Sequence, residues 1–170
     1  MRDAKLGIHC VAFAMTMLAL VVEAQQPKGA APAPIPEQIL SAKKVFVSNA
    51  GEVRNPSGDL TFSGGPDRAY NQFYGSMKTW GKYELVPNPT HADLVFEIGL
   101  VGVRDNPFYD QLRLVILDPK THTILWTFVE HASAGGKQKS RDAAFDRAMG
   151  ILVDDVKTLS TQTAADVGKN

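Results

Sequence analysis

Residues 92–130 read ADLVFEIGLVGV (92–103), RDNPFYD (104–110), QLRLVILD (111–118), PKTHT (119–123) and ILWTFVE (124–130). Leu94, Phe96, Ile98 and Leu100 alternate with Val95, Glu97, Gly99 and Val101, the period of two that a strand with one buried face requires. The two runs that follow are more continuously apolar, as in strands partly covered on both faces. Asp118-Pro119 is turn chemistry: Asp favours the first position of a type I turn and Pro presets φ at the second. The stretch predicts a three-stranded antiparallel meander at the core. Its last hairpin has two readings. A four-residue loop, 119–122, makes His122 left-handed and sets Leu114 and Ile116 on the face of Leu125. A three- or five-residue loop sets them beside Ile124 and Trp126.

The chain has 170 residues, enough for one domain with appendages, and its 18 basic and 18 acidic side chains cancel. Without net charge there is no general pull toward phosphate backbones or anionic membranes, so no nucleic-acid partner is expected. Arg2 and Lys5 precede an apolar run, Ile8 to Val22, and Val22-Glu23-Ala24 places small residues before Gln25. This is the pattern of a secretory signal peptide over residues 1–24. The run is short for a membrane span, so a cleaved signal rather than a retained anchor is the expectation, and no stable membrane span is expected after cleavage. The only cysteine, Cys10, lies inside that run and has no lipobox ahead of it; a mature chain starting at Gln25 has no thiol, hence no disulfide and no cysteine nucleophile.

Residues 25–38, opening QQPKGAAPAPIP, read as an extended Pro/Ala-rich linker. A single domain is expected over 39–160 and a disordered tail over 161–170. Lys43 to Asn49 reads as a first strand stopped by Ala50-Gly51, and Glu52 to Pro66 as a long polar loop. Tyr70, Phe73, Tyr74, Met77 and Trp80 form a helical stripe from about Asp67 to Trp80, with Gly81 as its left-handed cap. Lys82 to Val86 is a second strand. Ser140 suits the N-cap of a last helix running to about Leu159 on the stripe Phe145, Met149, Leu152, Val156 and Leu159. The fold class is α+β: a mainly antiparallel sheet of about five strands with two helices packed on one face, in the order β-α-β-β-β-β-α.

No catalytic constellation emerges. His91 and Asp93 are not joined by a compact ligand motif, and His122 and His131 are far apart, so no metal site is expected. There is no Gly-x-Ser-x-Gly elbow. The carboxylate pairs Asp105/Asp110 and Asp154/Asp155 read as solvated. Ser63-Gly64-Gly65-Pro66-Asp67-Arg68 is the best anion-binding feature, but it lacks the Walker lysine, and Asp67 itself would fill the anion position. No cofactor is expected. Recognition is expected on the long connections 52–66 and 106–110, with the aromatics Phe62, Phe108 and Tyr109 as contacts; their alternative is to fold back over the core.

AYNQFYGSMKTWGKYELV (69–86), HADLVFEI (91–98), QLRLVILDPKTHTILWTF (111–128) and FDRAMGILVDDVK (145–157) together carry a resemblance. The chain resembles small α+β proteins exported by Gram-negative bacteria, acidobacteria especially, and is more distantly similar to the amino-terminal domain of TolB and to small envelope lipoprotein domains. The resemblance implies export, envelope association and an envelope protein partner, with no catalytic residues. It differs from the lipoprotein members in lacking a lipobox, and in carrying His122 where glycine would ease the turn. The leading expectation is therefore an exported non-enzymatic binding or assembly domain. The alternative is a small periplasmic hydrolase or small-ligand enzyme with its site between 52–66 and 106–110.

Overall fold

The aromatic stripe after Pro66 folds as predicted. In the computed structural model, which describes residues 33–53, 62–102, 109–133 and 136–162, helix α2 spans Arg68–Trp80 and buries Ala69, Phe73 and Met77. Gly81 closes it at φ 71°, its N–H donating to the Met77 carbonyl at 3.1 Å. That left-handed cap is a conformation in which a side chain would be strained.

Strands β1 (Lys44–Val53), β2 (Glu84–Leu85), β3 (Leu94–Val101), β4 (Tyr109–Leu117) and β5 (Ile124–Ser133) form one sheet in the order β2-β1-β3-β4-β5. The predicted meander is there: β3, β4 and β5 pair antiparallel. The sheet as a whole is mixed, because β1 lies parallel to both β2 and β3. A parallel neighbour needs a crossover, and α2 supplies it between β1 and β2.

β1 also outruns its expected stop. A bulge at Ala50 shifts the register between Asn49 and Gly51, and pairing with β3 resumes to Val53. Gly99 faces that bulge. A Cβ at Gly99 would lie 2.9 Å from the Ala50 Cβ and 2.9 Å from the Gly51 carbonyl oxygen, so the close approach demands glycine.

The hairpin takes the loop of one reading and the Ile116–Trp126 match of the other, while Ile124 falls on the opposite face beside Leu117. His122 is left-handed at φ 58°, as the four-residue loop requires, and the Asp118 N–H donates to the Thr123 carbonyl at 3.0 Å. Yet Ile116 pairs with Trp126 and Leu114 with Phe128. A bulge at Leu125 reconciles the two by inserting one residue after the Leu117–Ile124 pair.

Helix α3 spans Gln138–Thr161; it begins before Ser140, which lies inside the helix, while Lys137 is the N-cap. A third, unpredicted helix, α1 (Glu37–Ser41), stands ahead of β1 and buries Ile39 completely. Its first two residues fall in the expected linker. Five residues are too few for a periodic signal, and a single buried side chain holds the helix down. α2 packs on β1 and β3, α3 packs on β5 and β4, and together they cover one sheet face. The core between them holds Phe73, Met77, Phe96, Ile98, Leu114, Ile116, Phe145 and Leu152. Both tryptophans are only half-buried at the margin of the core. Trp126 is on an edge strand, and Trp80 sits edge-on to Tyr83 with ring centroids 5.5 Å apart. The expected signal peptide, most of the expected linker and the expected tail beyond 162 lie outside the described residues.

Candidate functional site

The glycine-rich turn, the best anion-binding feature of the sequence though set aside as a nucleotide site, does hold an anion, and the anion is the protein's own. Gly64 and Gly65 take φ 93° and 76°, turning the chain so that Ser63 faces α3. Asp142 accepts the Ser63 N–H at 2.9 Å, the Ser63 hydroxyl at 2.8 Å and the Arg68 Nη1 at 2.7 Å, while Gln138 donates from its own helix at 3.1 Å. The Ser63 amide above all, then the Ser63 hydroxyl, Arg68 and Gln138, hold the Asp142 carboxyl far below the usual carboxylate range. The second Arg68 nitrogen reaches Asp146 at 2.7 Å, and its guanidinium carbon lies 4.3 Å from the centre of the Phe145 ring. Asp67 is spoken for as well, accepting from the Asn49 amide at 2.8 Å. Sequence reasoning placed the turn but missed Asp142, more than seventy residues away and marked by no motif.

Phe62 is part of the same structure. Its ring packs 5.1 Å from Phe145 and is 5 % exposed, so it follows the fold-back alternative and is a core residue rather than an exposed contact. Of the other two candidate contacts, Phe108 lies outside the described residues. Tyr109 opens β4 opposite Ser133, and its side chain is likewise not described. Residues 54–61 and 103–108, the bulk of the two connections, lie outside the described residues too.

The remaining polar groups are mostly committed to backbone. Asp93 accepts the Lys43 and Lys44 amides, both at 2.9 Å; these two bonds lower its pKa and tie the start of β3 to the start of β1. Asp118 accepts the Lys120 amide at 2.8 Å, which lowers its pKa inside the turn. Asp154 pairs with Lys157 one turn on, at 3.0 Å. His91, His122 and His131 are exposed and dispersed. Among the described residues no three His, Cys, Asp or Glu side chains gather to hold a metal ion. No described helix is long and apolar enough to cross a membrane.

What stands out is the sheet face opposite the helices. Register aligns Phe46, Val95, Leu117 and Ile124 in one row across β1, β3, β4 and β5. The next row is Ser48, Glu97, Val115 and Thr127. Over the first row lies a hollow of about 430 Å³, floored by Phe46, Val95 and Leu117, with Pro119, His122 and Glu97 around it. The turn chemistry of Pro119 and the left-handed His122 thus build one wall. An apolar floor with a few polar rim groups is the make-up of a recognition surface. Nothing in the alternation of β3 and β4 could have revealed that no helix among the described residues packs on this face.

No protein-family model matches the chain, and no curated protein matches it in sequence. Among solved structures it is similar to the PelC dodecamer from Paraburkholderia phytofirmans, at 11 % identity over 71 % of this chain and 89 % of that one, with a TM-score of 0.40. It is similar also to a homologue of the neuraminyllactose-binding hemagglutinin from Helicobacter pylori, at 12 % identity over 75 % of this chain and 90 % of that one, with a TM-score of 0.43. Likenesses at this level assign neither activity nor partner.

Proposed function

We propose that the chain is an exported, non-enzymatic binding or assembly domain of the bacterial cell envelope, and that it meets its partner on the sheet face opposite α2 and α3. The aligned row Phe46, Val95, Leu117 and Ile124 carries this reading. Two helices shield one face of the sheet from water, whereas in this row Ile124 is exposed and Phe46, Val95 and Leu117 are half-buried, so covering it is favourable. The signal pattern at residues 1–24 supports export, and the resemblance to small exported envelope proteins supports the compartment. Glu97 and His122 at the rim supply one acid and one base for orienting a partner.

Site-specific photocrosslinking in the native host tests both parts. A crosslinker at Leu117 should give adducts in the envelope fraction, and one at Asn71, in the α2–α3 cleft, should not. The recovered mature chain should begin at Gln25. A cytosolic species with Met1 intact would end the export claim, and adducts from Asn71 alone would move the surface to the helices. Turnover of a chromogenic ester or phosphate that is lost in Glu97→Gln would instead establish the enzyme reading.

A further inference from the structure

Three large apolar side chains stand exposed among the described residues: Ile124 at 56 %, Val129 at 43 % and Ile151 at 52 %. Two belong to β5, and the third belongs to α3, the helix packed on β5. Ile151 lies on the α3 flank turned away from α2, since Asp146, Gly150, Val153 and Lys157 line the cleft toward α2. Trp126 and Phe128, half-buried, point from β5 toward the same helix. All of them border one feature, the outer edge of β5.

That edge pairs with no strand among the described residues. An unpaired edge is a row of backbone donors and acceptors, and proteins normally blunt it with short strands, lysines, prolines or bulges. The opposite side of this sheet is blunted: β2 has two residues, with Lys44 and Glu84 3.7 Å apart beside it. β5 is ten residues long, has no lysine or proline, and runs regularly after its bulge at Leu125.

The edge also has a sign. Glu130 lies on the helix-facing side of β5. Burial first, and the charge of Asp155 on α3 second, push its carboxyl up, with His131 pulling the other way. Neither carboxylate joins an ion pair among the described residues. Arg113, the nearest cation by register, pairs with Val129 and so projects from the opposite face.

We propose that the outer edge of β5 receives an extended segment of a partner chain as a sixth strand, apolar at alternate positions toward α3, with a lysine or arginine facing Glu130 and Asp155. Backbone pairing supplies the affinity and the alternate side chains the selectivity. A second copy of this chain fits worse. Pairing β5 with β5 would set the two strands about 4.8 Å apart. The two α3 helices, each packed on its own β5, need axes about 8–10 Å apart. It would also gather four carboxylates. This surface meets the Leu117 row only at Ile124, which does not line the hollow, so the absence of adducts at Leu117 leaves it standing.

The test uses the full-length chain and a labelled ten-residue peptide of alternating valine and threonine in which one valine is lysine. Four outcomes are expected by fluorescence anisotropy. The lysine peptide should bind about tenfold more tightly than its glutamate counterpart. A version N-methylated at every amide should not bind. Val129→Lys should weaken the lysine peptide at least about tenfold with the thermal midpoint unchanged, and Glu130→Gln should erase the lysine preference. Binding that survives N-methylation, no lysine preference in the parent, or no binding at millimolar peptide would overturn the proposal. So would a dimer in sedimentation that Val129→Lys dissolves, which would make the occupant a second copy.

Discussion

Arg68 and Asp142 stand 2.7 Å apart across 74 residues of chain, their side chains only 12 % and 23 % exposed. The pair clasps the amino-terminal turns of α2 and α3 over Phe145, and through Ser63 it fixes the end of the long connection to the same point.

The acid limb of stability should follow from it. Asp142 titrates near 3.8 when unfolded and far lower when folded. Its contribution is therefore present above the unfolded value and lost as pH falls through that value toward the folded one. Urea midpoints of the parent should drop between about pH 5 and pH 2 more steeply than those of Asp142→Asn, which should already be less stable at pH 7. Parallel curves would show that this carboxylate is not coupled to folding.

Phe62→Ala should cost about 3 kcal/mol, because the ring is 5 % exposed and packed on Phe145. The urea midpoint should fall at unchanged slope. A midpoint within error of the parent's would return Phe62 to the surface.

Trp126→Ala should cost less than a core tryptophan, on the order of 1–3 kcal/mol, since the side chain packs at the margin of the core on an edge strand. A loss above about 4 kcal/mol would mean that β5 is more deeply covered than its side-chain exposure implies.

His122→Gly should stabilise the hairpin by about 0.5–1 kcal/mol, because φ 58° strains a residue with a Cβ and not glycine. The thermal midpoint reports it. A fall would indicate that the imidazole makes contacts worth more than the strain.

The features of this fold legible in the sequence are those whose signal is local. Phe73 and Met77 declare their helix by spacing, Gly81 its end, and Leu94 to Leu100 their strand. The hairpin was half legible: loop chemistry gave the left-handed His122, but the bulge at Leu125 depends on which face of β5 must meet Leu114 and Ile116. The parallel placement of β1 was not legible, since Val45 and Val47 pack alike beside a parallel or an antiparallel neighbour. For the candidate site, Ser63 to Arg68 announced an anion, but its identity as Asp142 required tertiary structure. Phe62 shows the general difficulty: an aromatic residue in a polar loop reads the same whether it faces a partner or folds in against another ring.

The parallel pairing of β1 with β3 sets how the domain bears load. A pull applied at the start of β1 and resisted at the end of β3 runs along both strands, so the eight paired positions from Val45 to Val53 are strained together in shear. A hairpin pulled at its open end would instead lose its hydrogen bonds in succession. A tether joined ahead of β1 and opposed by a load carried after β3 would thus draw on this seam as a whole, with the Gly99 contact on the bulge at Ala50 just past its middle.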